Sequence, residues 1–281
     1  MRQTAFSSLP TEWQSWITDN LARSCDPASL AGLMVRNGNF DSNLATAAIR
    51  EALANSSNDM PAAQPLPDID TTANTVRTPD RQINILMTLA TPRIVVLGNV
   101  LSDEECDALA AFSDQRMERS PVVADADGGM QLHAHRTSSG AMLQRGETEL
   151  INRVEARLAA LANWPVERGE GMQVLRYEPG NEYRAHFDWF DADAPGPRKH
   201  LERGGQRLGT FVLYLSDVEQ GGGTAFPAIG LEVQPQKGGA VFFVNTDPYR
   251  APDRRTLHAG MPVVKGLKFV ANKWLRERRY G

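Results

Sequence analysis

The sharpest pairing of ligand-type residues in the 281-residue chain is His186-Phe187-Asp188. On a β-strand, positions i and i+2 project from one face, so this imidazole and this carboxylate can reach the same ion. Two ligands hold a metal weakly, and His258, within RTLHAGMPVVKG, is the best candidate for a third. Two histidines and one carboxylate on one side of an iron leave three positions open, the arrangement of non-haem Fe(II) oxygenases. His-x-Asp is a short motif, and a surface ion pair or a capped turn is the alternative reading.

Lys268 lies ten residues after His258, between Leu267 and the pair Phe269-Val270. An ammonium in an apolar strand is costly to bury unless an anion pairs with it. Pointed into a barrel beside a metal, it suits a dicarboxylate held by its far end. Pointed outward, which strand alternation equally permits, it is a solvated surface lysine.

The remaining histidines are weaker candidates. His133-x-His135 has ligand spacing suited in principle to zinc, but no Cys, His or Glu cluster surrounds it, so a loop or substrate-cleft place is expected. His200 sits in FDADAPGPRKHLERGGQR, where it is expected to be solvated. That Gly- and Pro-rich stretch between two strands reads as a mobile lid. Cys25 and Cys106 have no disulfide or zinc spacing and read as buried free thiols.

The elements that must carry these residues lie mostly after Gly171. MQVLRY, EYRAHFDW, RLGTFVLYLS, GLEVQP, GAVFFVN and LKFVANKW read as short strands separated by Gly, Pro and Asn clusters. Arg93–Leu97 is a further strand. Ser102 and Glu105 form a capping box opening a helix to about Arg116, and a second helix is expected over about 147–161. Many short strands with two supporting helices predict a double-sheet barrel or jelly roll.

Upstream, Trp13, Trp16, Ile17 and Leu21 recur at helical spacing. Asp26-Pro27 starts a second helix, whose apolar stripe Leu30, Leu33 and Met34 stops at Asn37-Gly38. An Ala-rich third helix is expected from about Asp41 to Leu53. Residues 55–80, polar with several prolines, read as a linker or an extended wrapping segment. The boundary is placed near Asp80, giving a helical N-terminal region over 1–80 and a catalytic domain over 81–281.

Composition narrows the function classes. A net charge of -4 with no basic run argues against nucleic acid as a partner, and the apolar stretches are too short to span a bilayer. The start, MRQTAFSSLPTEW, lacks the pattern of a secretory signal, so a cytoplasmic location is expected.

Taken together, His186-x-Asp188, His258 and Lys268, with VLRYEPGNEYRAHFDWF, GGQRLGTFVLYLSDVEQGGGTAFP, LHAGMPVVKGLKFVANKWLRER and HRTSSGAML, resemble the prolyl 4-hydroxylase family of 2-oxoglutarate/Fe(II)-dependent oxygenases, over roughly residues 93–280. The resemblance implies a mainly β fold with supporting helices, a double-stranded β-helix (jelly-roll) catalytic domain beside a small helical N-terminal region. It implies His186, Asp188 and His258 as iron ligands and Lys268 as the partner of the distal carboxylate of 2-oxoglutarate. Tyr177 matches a tyrosine that hydrogen-bonds the cosubstrate, and Thr224 adds a hydroxyl there or serves a turn. Arg207 and Trp274 match positions near the prime substrate, and Arg136 is a further candidate. Fe(II), 2-oxoglutarate and O2 follow as cofactor and cosubstrates, with ascorbate in support. The implied activity is hydroxylation of an unactivated C–H bond, with peptidyl proline the first expectation and a free amino acid or small metabolite the second. A degenerate scaffold on the same fold is the alternative from another class. The N-terminal helices are read as docking support, with homodimerisation or substrate recognition as alternatives.

Overall fold

The computed structural model describes residues 4–23, 25–59, 63–119, 122–123, 130–131 and 137–281. His133, His135 and Arg136 lie outside the described residues. The chain forms two compact units, Met1–Ala63 and Gln64–Gly281.

The first unit holds the helices Thr11–Ala22, Pro27–Gly38 and Ser42–Asp59. Asp26 caps the second, its carboxylate accepting from the Ser29 N–H at 2.8 Å with Pro27 at the first helical position. The helix ends at Gly38, where the sequence places its stop, and a Cβ there would lie 2.6 Å from the Phe40 ring and 2.7 Å from Trp13. The turn itself is made by Asn39, left-handed at φ 56°. Ile17, Leu30, Met34, Ala48 and Ile49 form the core of this unit, with Trp13 edge-on to Trp16 and Phe40.

The second unit is built on an antiparallel sheet of nine described strands. In spatial order they are Thr75–Arg77, Gln82–Leu89, Ile94–Gly98, Ala240–Val244, Arg207–Tyr214, Lys268–Arg276, Gly169–Tyr177, Ser139–Leu143 and Glu118–Arg119. A four-stranded sheet faces it, in the order Leu231–Val233, Thr224–Phe226, His258–Gly260, Tyr183–His186. Alternation along each strand of the large sheet sends one set of side chains to each face. Phe211, Leu213, Phe242, Val174 and Leu275 meet the helices Asp103–Asp114 and Glu149–Leu161 on the outer face. Val212, Tyr214, Val241, Phe243 and Val270 meet Phe226 and Val233 of the small sheet on the inner face. This is the expected jelly roll.

Both supporting helices start as their sequences direct. Ser102 Oγ accepts from the Glu105 N–H at 3.2 Å while the Glu105 carboxylate accepts from the Ser102 N–H at 3.0 Å. Thr148 caps the second helix through the Ile151 N–H. Residues 64–80, placed before the boundary in the sequence reading, belong with the second unit. Ile69 is buried in the core, Arg93 donates to the Asp68 carboxylate at 2.7 Å, and Thr75–Arg77 pairs with the edge of the large sheet. Asp80 shares the buried Arg157 guanidinium with Glu105, at 2.6 and 2.7 Å, so this segment is tied to both helices.

The stretch expected to be a mobile lid contains a short helix, Pro195–Glu202. Arg276 donates to the carbonyls of His200 and Arg203, and the Gln206 side chain bonds both the N–H and the carbonyl of Phe190 at 2.8 Å. His200, expected to be solvated, is half-buried, with its ring stacked on Phe190 at 5.2 Å. The segment is held by hydrogen bonds that periodicity cannot show, because their partners lie far along the chain.

Candidate active site

His186 and His258 are register partners on the neighbouring strands Tyr183–His186 and His258–Gly260. Asp188 follows two residues after His186, on the same side of the chain. The metal-binding atoms of the three side chains all lie within 4.8 Å of one another. His186 Nε2 is 3.8 Å from one Asp188 oxygen and His258 Nε2 is 3.6 Å from the other.

The rings are aimed by their own backbone. His186 Nδ1 bonds the Arg184 carbonyl at 2.8 Å, and His258 Nδ1 bonds the Thr256 carbonyl at 3.0 Å. A carbonyl only accepts, so each Nδ1 carries a proton, and each Nε2 is the nitrogen turned to the centre. Tyr183 stacks on His186 at 3.6 Å, and Phe243 packs against His258 at 4.8 Å. Burial works against charge on Asp188, yet the His258 and His186 imidazoles and the Arg207 guanidinium hold its carboxyl below the usual range. The site thus offers a carboxylate oxygen and two imidazole nitrogens from one side, a donor set that fits Fe(II).

Lys268 lies on the inner face, directly opposite Tyr177 on the neighbouring strand, and is 2% exposed. Of the two orientations open to it in sequence, the inward one holds. Its ammonium sits 5.2 Å from the Tyr177 ring centroid, and no described carboxylate forms an ion pair with it. Burial pushes the ammonium down to about 8. That shift corresponds to about 3 kcal/mol of unfavourable environment.

Thr224 is buried at the start of a strand and not in the preceding turn. Its hydroxyl accepts from Tyr214 Oη at 2.8 Å, which links the small sheet to the large one. Burial raises the Tyr214 phenol above its usual range, so it stays a protonated donor.

Arg207 and Trp274 form one cluster. The guanidinium lies 3.8 Å above the Trp274 ring and 4.7 Å from Phe190. It is fixed by a two-pronged ion pair to Glu170, at 2.6 and 3.0 Å, and lies 3.5 Å from the Asp188 carbonyl oxygen. Glu170 also accepts from Arg276 at 2.9 Å. Sequence reasoning missed Glu170, Tyr214, Thr210 and Asn245, since none carries a motif at short range.

The 2OG-Fe(II) oxygenase superfamily model matches residues 172–276, a stretch holding all eight of the candidate residues His186, Asp188, His258, Lys268, Tyr177, Thr224, Arg207 and Trp274. Prolyl 4-hydroxylase 5 of Arabidopsis thaliana is 38% identical over 208 residues, 67% of this chain and 70% of that protein. Probable prolyl 4-hydroxylase 7 of the same plant is 38% identical over 209 residues, and the match spans 64% of its length. Among solved structures, the viral collagen prolyl hydroxylase of Paramecium Bursaria Chlorella virus-1, in its 2-oxoglutarate complex, is 31% identical with a TM-score of 0.52. That match covers 65% of this chain and 95% of the viral one. The chain belongs to the prolyl 4-hydroxylase family of the 2OG-Fe(II) oxygenases.

Proposed function

We propose that this protein hydroxylates a prolyl residue of a peptide or protein, as an Fe(II)- and 2-oxoglutarate-dependent dioxygenase. His186, Asp188 and His258 would hold the iron. Fe(II) with 2-oxoglutarate and O2 supplies the oxidation that converts C–H to C–OH, with release of succinate and carbon dioxide. The chain's own contribution is to bind, orient and exclude water.

The observation that carries this reading is Lys268. A buried ammonium without a carboxylate partner is costly, and a dianionic cosubstrate removes that cost by pairing with it. Tyr177, opposite it in the strand register, would bind the same carboxylate, and the Thr224 hydroxyl would extend the polar wall. Arg207 and Trp274, packed against each other beside Asp188, form the wall assigned to the prime substrate. Glu170 holds the guanidinium, so the charge of that wall is set before substrate arrives.

The test is anaerobic addition of Fe(II) and 2-oxoglutarate to the apo-protein, read by the weak visible charge-transfer band of the chelate. The band is expected in the wild type and absent in His258→Ala. With oxygen, succinate release should follow a proline-containing peptide and not free proline. Coupling to the free amino acid alone would refute the peptide substrate. A folded protein with no band would refute the oxygenase reading.

A further inference from the structure

The inner face of the large sheet is lined by Val212, Tyr214, Val241, Phe243 and Val270, and two fully buried polar side chains interrupt it beside the metal ligands. Thr210 Oγ1 donates to Asp188 Oδ2 at 2.9 Å, and Asn245 Nδ2 donates to Thr210 Oγ1 at 3.0 Å. The direction of this chain is forced. An ionised carboxylate only accepts, so the single hydroxyl proton of Thr210 must go to Asp188. The Thr210 oxygen must then accept from the amide of Asn245.

Asn245 is itself anchored at both backbone groups. Its N–H donates to the Leu208 carbonyl at 2.8 Å and its carbonyl accepts from the Asp253 N–H at 2.9 Å. The Asp253 carbonyl in turn accepts from Thr256 Oγ1 at 2.7 Å, and the Thr256 carbonyl aims the His258 ring. One hydrogen-bonded path therefore joins the carboxylate ligand to the second histidine, 70 positions away in sequence.

We propose that Thr210, backed by Asn245, is a positioning residue that commits Asp188 Oδ2 to the protein and leaves Oδ1 for the metal. The carboxylate would then hold the metal through one oxygen, leaving the remaining positions to the cosubstrates. A carboxylate free to rotate can bind through both oxygens and take one of those positions. The inference rests on the metal-site reading given above, and it extends that reading to the number of open positions.

The test uses the full chain with three substitutions. Thr210→Val keeps the branched shape and removes the hydroxyl. Thr210→Ser keeps the hydroxyl. Asn245→Leu removes the donor that holds it. Fe(II) affinity, the 2-oxoglutarate charge-transfer band and thermal melting are measured without oxygen. Thr210→Val is expected to shift or weaken the band and to weaken 2-oxoglutarate binding at saturating Fe(II) by about 10-fold or more. Thr210→Ser should stay near the wild type. Asn245→Leu should move in the same direction as Thr210→Val by less, and it serves as the test if Thr210→Val does not fold. A folded Thr210→Val or, failing that, Asn245→Leu protein with a wild-type band and affinity would overturn the proposal. So would a Thr210→Ser protein as defective as Thr210→Val. Absence of the band in the wild type would instead overturn the metal site, and this proposal with it.

Discussion

His186 and His258 face each other as a register pair across two antiparallel strands, and each turns its Nδ1 to a carbonyl two residues earlier in its own chain. The same local device is thus used twice. Both ring orientations are set by backbone before any ion arrives, which lowers the ordering cost of binding one.

Because the three candidate ligands converge in this prearranged way, removing one should be severe. His258→Ala or Asp188→Ala is expected to weaken Fe(II) binding by more than about 100-fold, beyond the usual range for outer-shell changes. Turnover should be lost. Calorimetric titration of the apo-proteins with Fe(II) under anaerobic conditions checks this, and near-wild-type affinity in either variant would sink the ligand assignment.

Lys268 links function, stability and pH. Lys268→Met should weaken 2-oxoglutarate binding by about 100-fold, on the order of 3 kcal/mol, while Fe(II) affinity is little changed. In the absence of cosubstrate the same variant should be more stable by on the order of 1–3 kcal/mol, because an unpaired buried charge is removed. Urea unfolding with and without 2-oxoglutarate separates the two effects.

The pH dependence follows from the same group. Its folded value, about 8, lies below the ordinary 10.5, so the unfolded chain binds the extra proton between these values. The penalty of burying the charge is fully present below pH 8 and fades as pH rises toward 10.5, which stabilises the apo-protein over that window. Cosubstrate affinity should move oppositely, falling as pH rises above about 8. A flat affinity profile over that range would count against Lys268 as the carboxylate anchor.

Glu170 holds both Arg207 and Arg276 in a buried network. Glu170→Gln leaves two guanidinium groups without their counter-charge and should cost about 3–5 kcal/mol of stability. The Arg207–Trp274 wall should loosen as well, so substrate KM should rise more than 2-oxoglutarate KM. Equal changes in both constants would speak against a role confined to that wall.

Acid sensitivity should come from the helix-side network. Burial works against the Glu105 charge, but Arg157, the Ser102 N–H and Arg153 outweigh it and hold the carboxyl at about 2. A depressed folded value means that the stabilisation is complete above the ordinary 4.5 and is lost as pH falls toward 2. The contribution is on the order of 2 kcal/mol after allowing for solvent screening. Glu105→Gln should flatten the acid limb of the stability curve, read by thermal melting between pH 5 and 2.

What the sequence by itself determined is local. His186 and Asp188 share a side because a strand alternates with period two, and Ser102 with Glu105 closes a cap because one helical turn brings them together. The family phrases could be read for the same reason, as each lies within a short stretch of chain, and one of them marked His258, 70 residues beyond Asp188, as the candidate third ligand. Tertiary structure alone decided which way Lys268 points, because alternation allows either face and only the pairing with Tyr177 selects the inner one. It also decided that Gly38 serves packing against Phe40 and Trp13, that residues 64–80 wrap the second unit, and that His200 lies on Phe190. The path from Asp188 through Thr210 and Asn245 to His258 belongs to the same class. Its members sit on separate strands or just beyond their ends, and their hydrogen bonds depend on inter-strand register, which the sheet sets as a whole and no short window of sequence contains.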